Sequence, residues 1–447
     1  MGKSVCVFVL GLALNGACLG ATAFAAAGVP PGASAKCTKY VQGLPAEIET
    51  DFIMVPEDWD NPTASPLIPI FFYAPDLYQN QKWIAYFNGG PGGSTHGIYA
   101  YFKKYTPLSA GVPFLYIDQR GTGCSGSFPE VPVTLEGAKR MALYGTRSIV
   151  RDAEAVRRHL LKDKPWGIFG QSYGGYIVHR YIALYPKSVE HAVVQGASLM
   201  DNGIRWVETR LLAQQRAATE YLKQYPGDAE ILEKARSQVP ADYCQGNQTA
   251  VACGPGLLDG IAWGQIAFPK GWPNLHKTYA GLLKADGTLD LAYLGTLIPK
   301  QVDATDSMAD FLVAVVPGRE LPGGLLNTWS CQKAVPRMKR KGIDTNSWFY
   351  SECRGALSIQ AKYDSFLKKI VKDDSIRLKD VHRSLKKNPG LQFHLFSGEL
   401  DTFVARESYQ QEVKKLGRLA NFSFMNVMNI GHDWTNSKEV WAALKKY

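Results

Sequence analysis

The chain has 447 residues, of which 46% are hydrophobic and 20% charged, as is ordinary for a folded globular protein. These proportions exclude a disordered or fibrous chain. The formal net charge is +10, but the basic residues are scattered apart from one dense run between Arg337 and Lys341. Nucleic-acid binding is therefore not expected. Because a single core rarely grows past about 250–300 residues, the length predicts one large domain with an insertion, or two domains.

The N-terminus is typical of a secretory signal peptide. Lys3 supplies a positive charge, Val5 to Leu14 is a short apolar stretch, and Ala23-Phe24-Ala25 is a small-x-small cleavage site. We expect residues 1–25 to be removed and the mature protein to be periplasmic or secreted. A lipoprotein anchored at Cys18 is a weaker alternative. No later stretch has about 18 uninterrupted apolar residues, so no membrane span is expected.

Two blocks of the chain carry strand patterns, in which apolar, β-branched and aromatic runs are bounded by Pro, Gly, Asn or Asp. In chain order the predicted strands are Leu67–Ala74, Lys82–Asn88, Val112–Asp118, Trp166–Gly170, Ala192–Gln195, Leu391–Phe396 and Phe422–Val427. Helical periodicity predicts helices over Arg147–Leu161, Tyr173–Tyr185 and Lys438–Lys446. Strands that alternate with helices indicate a mostly parallel sheet with helices on both faces.

Residues 201–389 separate these two blocks and show no strand rhythm. The segment is helical, rich in loops and contains several cysteines. We therefore expect a sheet core formed by residues 26–200 and 390–447, interrupted by a helical lid over residues 201–389.

Six cysteines follow the predicted cleavage site: Cys37, Cys124, Cys244, Cys253, Cys331 and Cys353. An even number in an exported chain favours disulfides. Proximity in sequence suggests the pairs Cys244–Cys253 and Cys331–Cys353, which leaves Cys37–Cys124. Free buried thiols are the alternative. No histidine stands at ligand spacing from a cysteine pair, so no metal site is expected.

The central motif is Gly170-Gln171-Ser172-Tyr173-Gly174, followed by Gly175. It lies between a predicted strand and a predicted helix, which is the context that a nucleophile elbow requires. Small residues flank the serine because the backbones come close there, and the helix N-terminus helps to stabilise an oxyanion. Ser172 is therefore the candidate nucleophile of a hydrolase with the α/β-hydrolase fold.

A serine hydroxyl needs a base, and that base needs a carboxylate to orient it, in the order Ser, acid, His along this fold. His432 follows the last predicted strand and Asp401 follows the strand before it. We predict these two residues as base and acid. Glu399 is the alternative acid, and His96, near the glycine loop, is the alternative base.

The remaining histidines are not expected to serve as the base. His179 and His191 are expected at the surface, on a helix and in a loop. His159 is expected on a helix and His394 inside a strand.

A second glycine-rich loop, Asn88-Gly89-Gly90-Pro91-Gly92-Gly93, follows a predicted strand. Such a loop lets bare backbone N–H groups approach a substrate oxygen. We expect the oxyanion hole to combine the N–H of Gly89 or Gly90 with that of Tyr173.

The segment Asp118-Gln119-Arg120-Gly121 ends another predicted strand. We expect Arg120 to brace the neighbouring glycine loop through hydrogen bonds rather than to touch substrate. Asp152, on its helix, is also expected to be structural.

Together these motifs resemble the proline iminopeptidase family of α/β-hydrolases, with the related secreted tripeptidyl aminopeptidases. The matching segments are Gly89–Gly92, Asp118–Gly121, Gly170–Gly175, Gly398–Asp401 and Gly431-His432. The chain departs from the family pattern at Asn88, where the loop usually begins with His, and at Tyr173, where Trp is common. No segment of the predicted lid aligns with the family.

The resemblance implies an enzyme that removes residues from peptides with a free N-terminus and needs no metal or organic cofactor. In the family, lid carboxylates bind the free amino group, which makes Glu208 and Glu352 the candidates here. An esterase or lactone hydrolase with the same three residues is the alternative, and a binding protein on an inactive scaffold is a second one. The sequence leaves the oligomeric state open.

Overall fold

The computed structural model describes residues 29–80, 82–104, 108–129, 132, 134–199, 203–243, 254–297, 328–343 and 375–447. The predicted signal peptide and Glu352 lie outside these residues. So do Cys244, Cys253 and Cys353, and the pairs Cys244–Cys253 and Cys331–Cys353 therefore stay predictions.

An eight-stranded sheet organises the structure, with the strand order β1-β2-β4-β3-β5-β6-β7-β8. The strands are β1 (Ile48–Pro56), β2 (Leu67–Pro75), β3 (Ile84–Phe87), β4 (Phe114–Ile117), β5 (Trp166–Gln171), β6 (Val189–Gln195), β7 (Gln392–Gly398) and β8 (Phe422–Val427). From β4 through β3 to β8 the neighbouring strands are parallel, whereas β1 and β2 add an antiparallel edge. The predicted mostly parallel sheet is confirmed.

Helices cover both faces of the sheet. They are α1 (Ala35–Gln42), α2 (Ile98–Lys103), α3 (Leu135–Ala142), α4 (Thr146–Leu161), α5 (Tyr173–Leu184), α6 (Gly203–Gln224), α7 (Asp228–Gln238), α8 (Gly256–Ile266), α9 (Trp272–Ala280), α10 (Leu291–Leu297), α11 (Thr328–Arg340), α12 (Leu378–Lys387), α13 (Gln410–Leu416) and α14 (Lys438–Leu444). Helices α4, α5 and α12 pack in the core on one face, and α1, α2 and α14 pack in the core on the other.

Alternation along the strands explains these two cores. In β3, Ala85 and Phe87 belong to the first core and Ile84 and Tyr86 to the second, because successive strand side chains point to opposite faces. A strand buried on both faces reads as a continuous apolar run, which is why β3 was recognisable in the sequence.

The described elements between β6 and β7 are helical, apart from an isolated bridge between Leu283 and Leu289. Several of these helices share a third apolar core, which includes Trp272 and Tyr279. Leu400, in the loop after β7, belongs to the same core and joins the helical segment to the sheet. The predicted domain boundaries remain predictions.

Cys37 of α1 and Cys124, in the loop after β4, form a disulfide across a sequence separation of 87 residues. The predicted Cys37–Cys124 pair is thus present. None of the helices in the described ranges has the length and apolar character that crossing a bilayer requires.

Candidate active site

Ser172 lies in the tight turn that joins β5 to α5. Its φ of 56° and ψ of −122° place a non-glycine residue in the left-handed half of backbone space. Such a conformation costs on the order of 1–3 kcal/mol and persists only where its surroundings enforce it. Here the Ser172 N–H donates to the Gln195 carbonyl of β6 at 2.9 Å, and the Ser172 carbonyl accepts from the Gly175 N–H at 2.9 Å.

The glycines around Ser172 are required by close packing. A Cβ added to Gly170 would lie 2.1 Å from the Gly174 oxygen, and one added to Gly174 would lie 2.0 Å from the Phe87 oxygen. A Cβ on Gly175 would meet Ala197 Cβ at 2.5 Å. The turn is therefore pressed between β3 and the end of β6, which exposes its serine at the carboxyl edge of the sheet.

His432 and Asp401 meet at the same edge, in the loops that follow β8 and β7. His432 Nδ1 lies 2.9 Å from Asp401 Oδ2, and both residues are buried. Asp401 Oδ1 accepts hydrogen bonds from the backbone N–H groups of Phe403 and Val404 at 2.8 and 2.9 Å. A carboxylate with these partners is fixed in place and can accept a proton-bearing Nδ1, which leaves Nε2 as the free lone pair of His432.

The alternative acid and base are engaged elsewhere. Glu399 accepts from the Asn429 N–H at 3.1 Å and lies 3.7 Å from Arg406. His96 stacks on Tyr40, with ring centroids 3.7 Å apart, and its Nε2 lies 3.2 Å from Asp118 Oδ2. Neither group contacts the pair formed by His432 and Asp401.

The surroundings of His432 come from three parts of the chain. The Phe403 ring lies 4.6 Å from the imidazole, centroid to centroid. The His432 N–H donates to the Ala267 carbonyl, beyond α8, at 2.8 Å. On the third side, a Cβ added to Gly196 would lie 2.9 Å from His432 Cε1 and 3.4 Å from Asp401 Oδ2. The helical segment therefore helps to hold the His432 imidazole. The absence of a side chain at Gly196 leaves the space that this ring occupies.

The glycine loop after β3 lies directly beside Ser172. A Cβ added to Gly89 would be 3.0 Å from Ser172 Cβ. However, the Gly89 N–H donates to Asn88 Oδ1 at 2.9 Å. Gly90, with a φ of 68°, has open space where its Cβ would be. Because the Gly89 N–H already has an acceptor, Gly90 is the better candidate of the two predicted glycine donors.

Arg120 does not brace the glycine loop, and that prediction was wrong. Its guanidinium is buried, pairs with both oxygens of Asp152 at 2.6 and 2.7 Å, and donates to the carbonyls of Glu57 and Leu143. It thus joins the end of β1 to the segment between α3 and α4. Because β1 was not predicted from the sequence, its carbonyls could not be foreseen as partners. The predicted structural role of Asp152 agrees with these contacts.

The neighbouring Gln119 contacts the glycine loop instead. Its Nε2 donates to the Asn88 carbonyl at 3.1 Å. Asn88 Nδ2 in turn donates to the Ser94 carbonyl at 2.6 Å, which closes the loop on itself. Sequence analysis missed Gln119 and Asn88 as bracing residues, because it assigned that role to the charged side chain of Arg120.

His179 and His191 are buried, contrary to the expectation that both lie at the surface. His179 contacts Glu412 and the Gly175 carbonyl, both at hydrogen-bonding distance. Burial, together with the nearby His394, lowers the pKa of His191 to about 4, so it is neutral at physiological pH. The burial of His179 could not be predicted, because the apolar residues around it in α5 do not show which face of the helix the histidine occupies.

Glu208 does not face the loops that carry Asp401 and His432. Its Oε1 lies 3.7 Å from Arg337 of α11. Arg210, two residues further along α6, donates to the Thr402 carbonyl at 3.3 Å. Residues two apart on a helix point about 200° away from each other, so Glu208 faces away from the Asp401 loop. Its predicted role in amine binding stays a prediction, as does that of Glu352.

Within the described part of the chain, the grouping of His, Cys, Asp or Glu atoms close enough to hold an ion is His96, Asp118 and Cys124. Cys124 is bonded to Cys37 and offers no thiolate. Asp118 already accepts from the Thr95 N–H and hydroxyl, both at 2.7 Å. This grouping therefore does not provide three free metal ligands.

Comparison with known proteins identifies the class to which this site belongs. Residues 82–246 match a family model of the α/β-hydrolase fold. The predicted fold class is therefore confirmed, and the chain has the α/β-hydrolase fold.

Two curated relatives are similar to this chain over part of its length. A proline iminopeptidase of Aspergillus aculeatus is 26% identical over 287 residues, which are 60% of this chain and 62% of that protein. A proline iminopeptidase of Aeromonas sobria is 31% identical over 156 residues, 33% of this chain and 37% of that protein. The matches thus span less than two thirds of either relative. They confirm the resemblance seen in the motifs, and the chain is similar to proline iminopeptidases over these segments.

Among solved structures, the chain is similar to the proline iminopeptidase of Mycobacterium smegmatis. It aligns over 89% of this chain and 97% of that chain, with a TM-score of 0.40 and 14% identity.

Proposed function

We propose that this protein is an exported serine exopeptidase that hydrolyses prolyl or short peptidyl groups from the N-termini of peptides. The observation that supports it most is that the strained Ser172 turn and the hydrogen-bonded Asp401–His432 pair lie at the same edge of the sheet, where Gln171 Nε2 donates to the His432 carbonyl at 3.3 Å. The names of the relatives favour a peptidase over other α/β-hydrolase reactions.

In the proposed reaction the Ser172 hydroxyl attacks the scissile carbonyl while His432 Nε2 accepts its proton. Asp401 holds the Nδ1–H tautomer and stabilises the imidazolium that forms. The oxyanion is stabilised by the N–H groups of Tyr173, at the start of α5, and of Gly90. The imidazolium then protonates the leaving amine, and water hydrolyses the acyl-enzyme with His432 again as the base.

Export is part of the proposal. The Cys37–Cys124 disulfide supports an oxidising compartment, because such bonds are rare in reducing cytosol. The signal-like features of residues 1–25 favour the same destination, in the periplasm or outside the cell.

A substrate panel tests the proposed activity. It contains prolyl, alanyl and tripeptidyl amides with free and with blocked N-termini, and a short-chain ester, each assayed with wild type and Ser172→Ala. We expect hydrolysis of the free-amine amides only, and its loss in Ser172→Ala. Ester turnover without amide hydrolysis would replace the peptidase by the alternative esterase or lactone hydrolase on the same three residues.

The lid carboxylates can be compared in the same panel. Glu208→Gln and Glu352→Gln remove one charge each without a change in size. A residue that binds the substrate amine should raise KM for free-amine substrates by about tenfold or more and leave blocked substrates unchanged. Because Glu208 faces Arg337, we expect the larger effect from Glu352→Gln.

A further inference from the structure

The reaction proposed above makes no use of a fully buried ion-pairing contact behind the active site. His179 of α5 and Glu412 of α13 are both wholly inaccessible to solvent, and His179 Nε2 lies 2.6 Å from Glu412 Oε1. Buried ionisable groups are costly unless they are paired and hydrogen-bonded, so this pair requires an explanation.

The hydrogen bonds fix the number of protons that the pair holds. His179 Nδ1 lies 2.7 Å from the Gly175 carbonyl oxygen, which can only accept, so Nδ1 carries a hydrogen. A second proton must lie between Nε2 and Oε1, since two lone pairs at 2.6 Å would repel each other. The unit is neutral overall whether this proton belongs to the imidazole or to the carboxyl group.

The second oxygen of Glu412 extends the contact to the segment that follows β6, the strand whose last residue accepts from the Ser172 N–H. Glu412 Oε2 accepts from the Leu199 N–H at 3.1 Å. Leu199 closes the segment 196–199, which follows β6 and which we call the backing segment. The carboxyl group therefore joins α5, which begins directly after Ser172, to the backing segment.

The backing segment touches the catalytic pair at its other end. Gly196 packs against His432 and Asp401, as its missing Cβ shows. Ala197 meets Gly175 of the Ser172 turn, and the Ser198 hydroxyl donates to the Ser408 carbonyl at 2.9 Å. A displacement of Leu199 or Ser198 would therefore be transmitted to the His432 imidazole through at most three residues.

We infer that His179 and Glu412 are positioning residues, which hold the backing segment at the distance from α5 that keeps His432 aligned between Ser172 and Asp401. Neither residue touches the reacting atoms. The inference rests on the proposed function, because it assigns to the pair the orientation of the proposed base.

The chain offers a conservative substitution that preserves the arrangement. In Glu412→Gln, the amide nitrogen can donate to the Nε2 lone pair of neutral His179 while the amide oxygen accepts from the Leu199 N–H. Both contacts and the neutral charge are kept. Glu412→Met fills a similar volume but leaves His179 Nε2 and the Leu199 N–H without partners.

The experiment measures kcat and KM per active site, counted by fluorophosphonate labelling, at pH 7.5. We expect Glu412→Met to lower kcat per labelled site by about tenfold to a hundredfold with KM within about twofold, and Glu412→Gln to stay within about threefold of wild type. His191→Leu is the matched control, because it removes a buried histidine of β6 whose ring stacks on Tyr447 and not on the backing segment. It should leave kcat per labelled site unchanged even if it lowers thermal stability.

A kcat per labelled site within about twofold of wild type in Glu412→Met would overturn the inference. If that variant does not fold, Ser198→Ala decides, because it removes only the other anchor of the backing segment. We expect a kcat about tenfold lower, and a kcat within about threefold of wild type would overturn the inference. A wild-type protein that fluorophosphonate does not label would instead refute the proposed function, so the two failures are distinguishable.

Discussion

Replacing Asp401 by Asn should abolish most activity without removing the fold, for a reason specific to the hydrogen bonds around this residue. Asp401 Oδ1 accepts from the N–H groups of Phe403 and Val404. In the amide only the oxygen can accept, so it must occupy this position, and the NH₂ group then faces His432 Nδ1. An imidazole that accepts at Nδ1 carries its hydrogen on Nε2 and cannot take the Ser172 proton.

The expected loss in kcat is roughly 10⁴-fold, the scale found when a triad acid is replaced by its amide, and equals about 5 kcal/mol of barrier. The assay is hydrolysis of the best amide substrate, together with thermal unfolding to show that the fold persists. Asp433→Asn and Glu399→Gln are the matched controls, because neither carboxylate contacts His432 and each should keep kcat within about threefold. An Asp401→Asn enzyme with more than about a tenth of wild-type kcat would refute the tautomer argument, and a large loss in Glu399→Gln would move the acid role there.

Three further predictions concern the surroundings of the site. Gly196→Ala should lower kcat at least about tenfold and stability by about 1–2 kcal/mol, because φ is 67° and the new Cβ would lie 2.9 Å from His432 Cε1. Gly390→Ala is its control in the same kinetic and unfolding assays, because a Cβ added at Gly390 would have no neighbour within 4 Å. Equal losses of kcat and stability in the two variants would contradict the packing argument. Because burial lowers the pKa of His191 to about 4, below an unfolded value near 6.5, its contribution to stability is present at pH 7.5 and is lost as the pH falls through 6.5 towards 4. Urea unfolding should therefore show that wild type loses roughly 2 kcal/mol more than His191→Leu between pH 7.5 and 5, and parallel pH profiles would exclude this origin. Replacing Cys37 and Cys124 together by Ser should lower the free energy of unfolding by about 4.6 kcal/mol, from the entropy of the released 87-residue loop. Alkylation of the denatured, unreduced wild type followed by peptide mapping would show directly if Cys37 and Cys124 were free thiols.

The elements that position the site were largely predictable because they are buried on both sides. The strand from Trp166 and the helix from Tyr173 are rich in apolar residues on either side of Ser172, and the structure places both elements within a residue of the predicted bounds. The strand order of β7 and β8 likewise brought Asp401 and His432 to one edge, as consecutive parallel strands must.

Features that depend on distant partners were not predictable. Strand β1 was missed because Glu49, Thr50 and Asp51 interrupt its apolar pattern at the edge of the sheet. Because β1 was missed, the carbonyl groups at its end were not considered as partners of Arg120. The local sequence around His179 also contains no sign of Glu412, which lies 233 residues further along the chain.

The central claim is that Ser172 is a nucleophile activated by His432. It is tested most directly by fluorophosphonate labelling of the folded protein, followed by peptide mapping of the modified residue. The account predicts one label per chain, on Ser172, which is absent in Ser172→Ala and forms far more slowly in His432→Gln. A label on another residue, or amide hydrolysis that persists undiminished in Ser172→Ala, would contradict it.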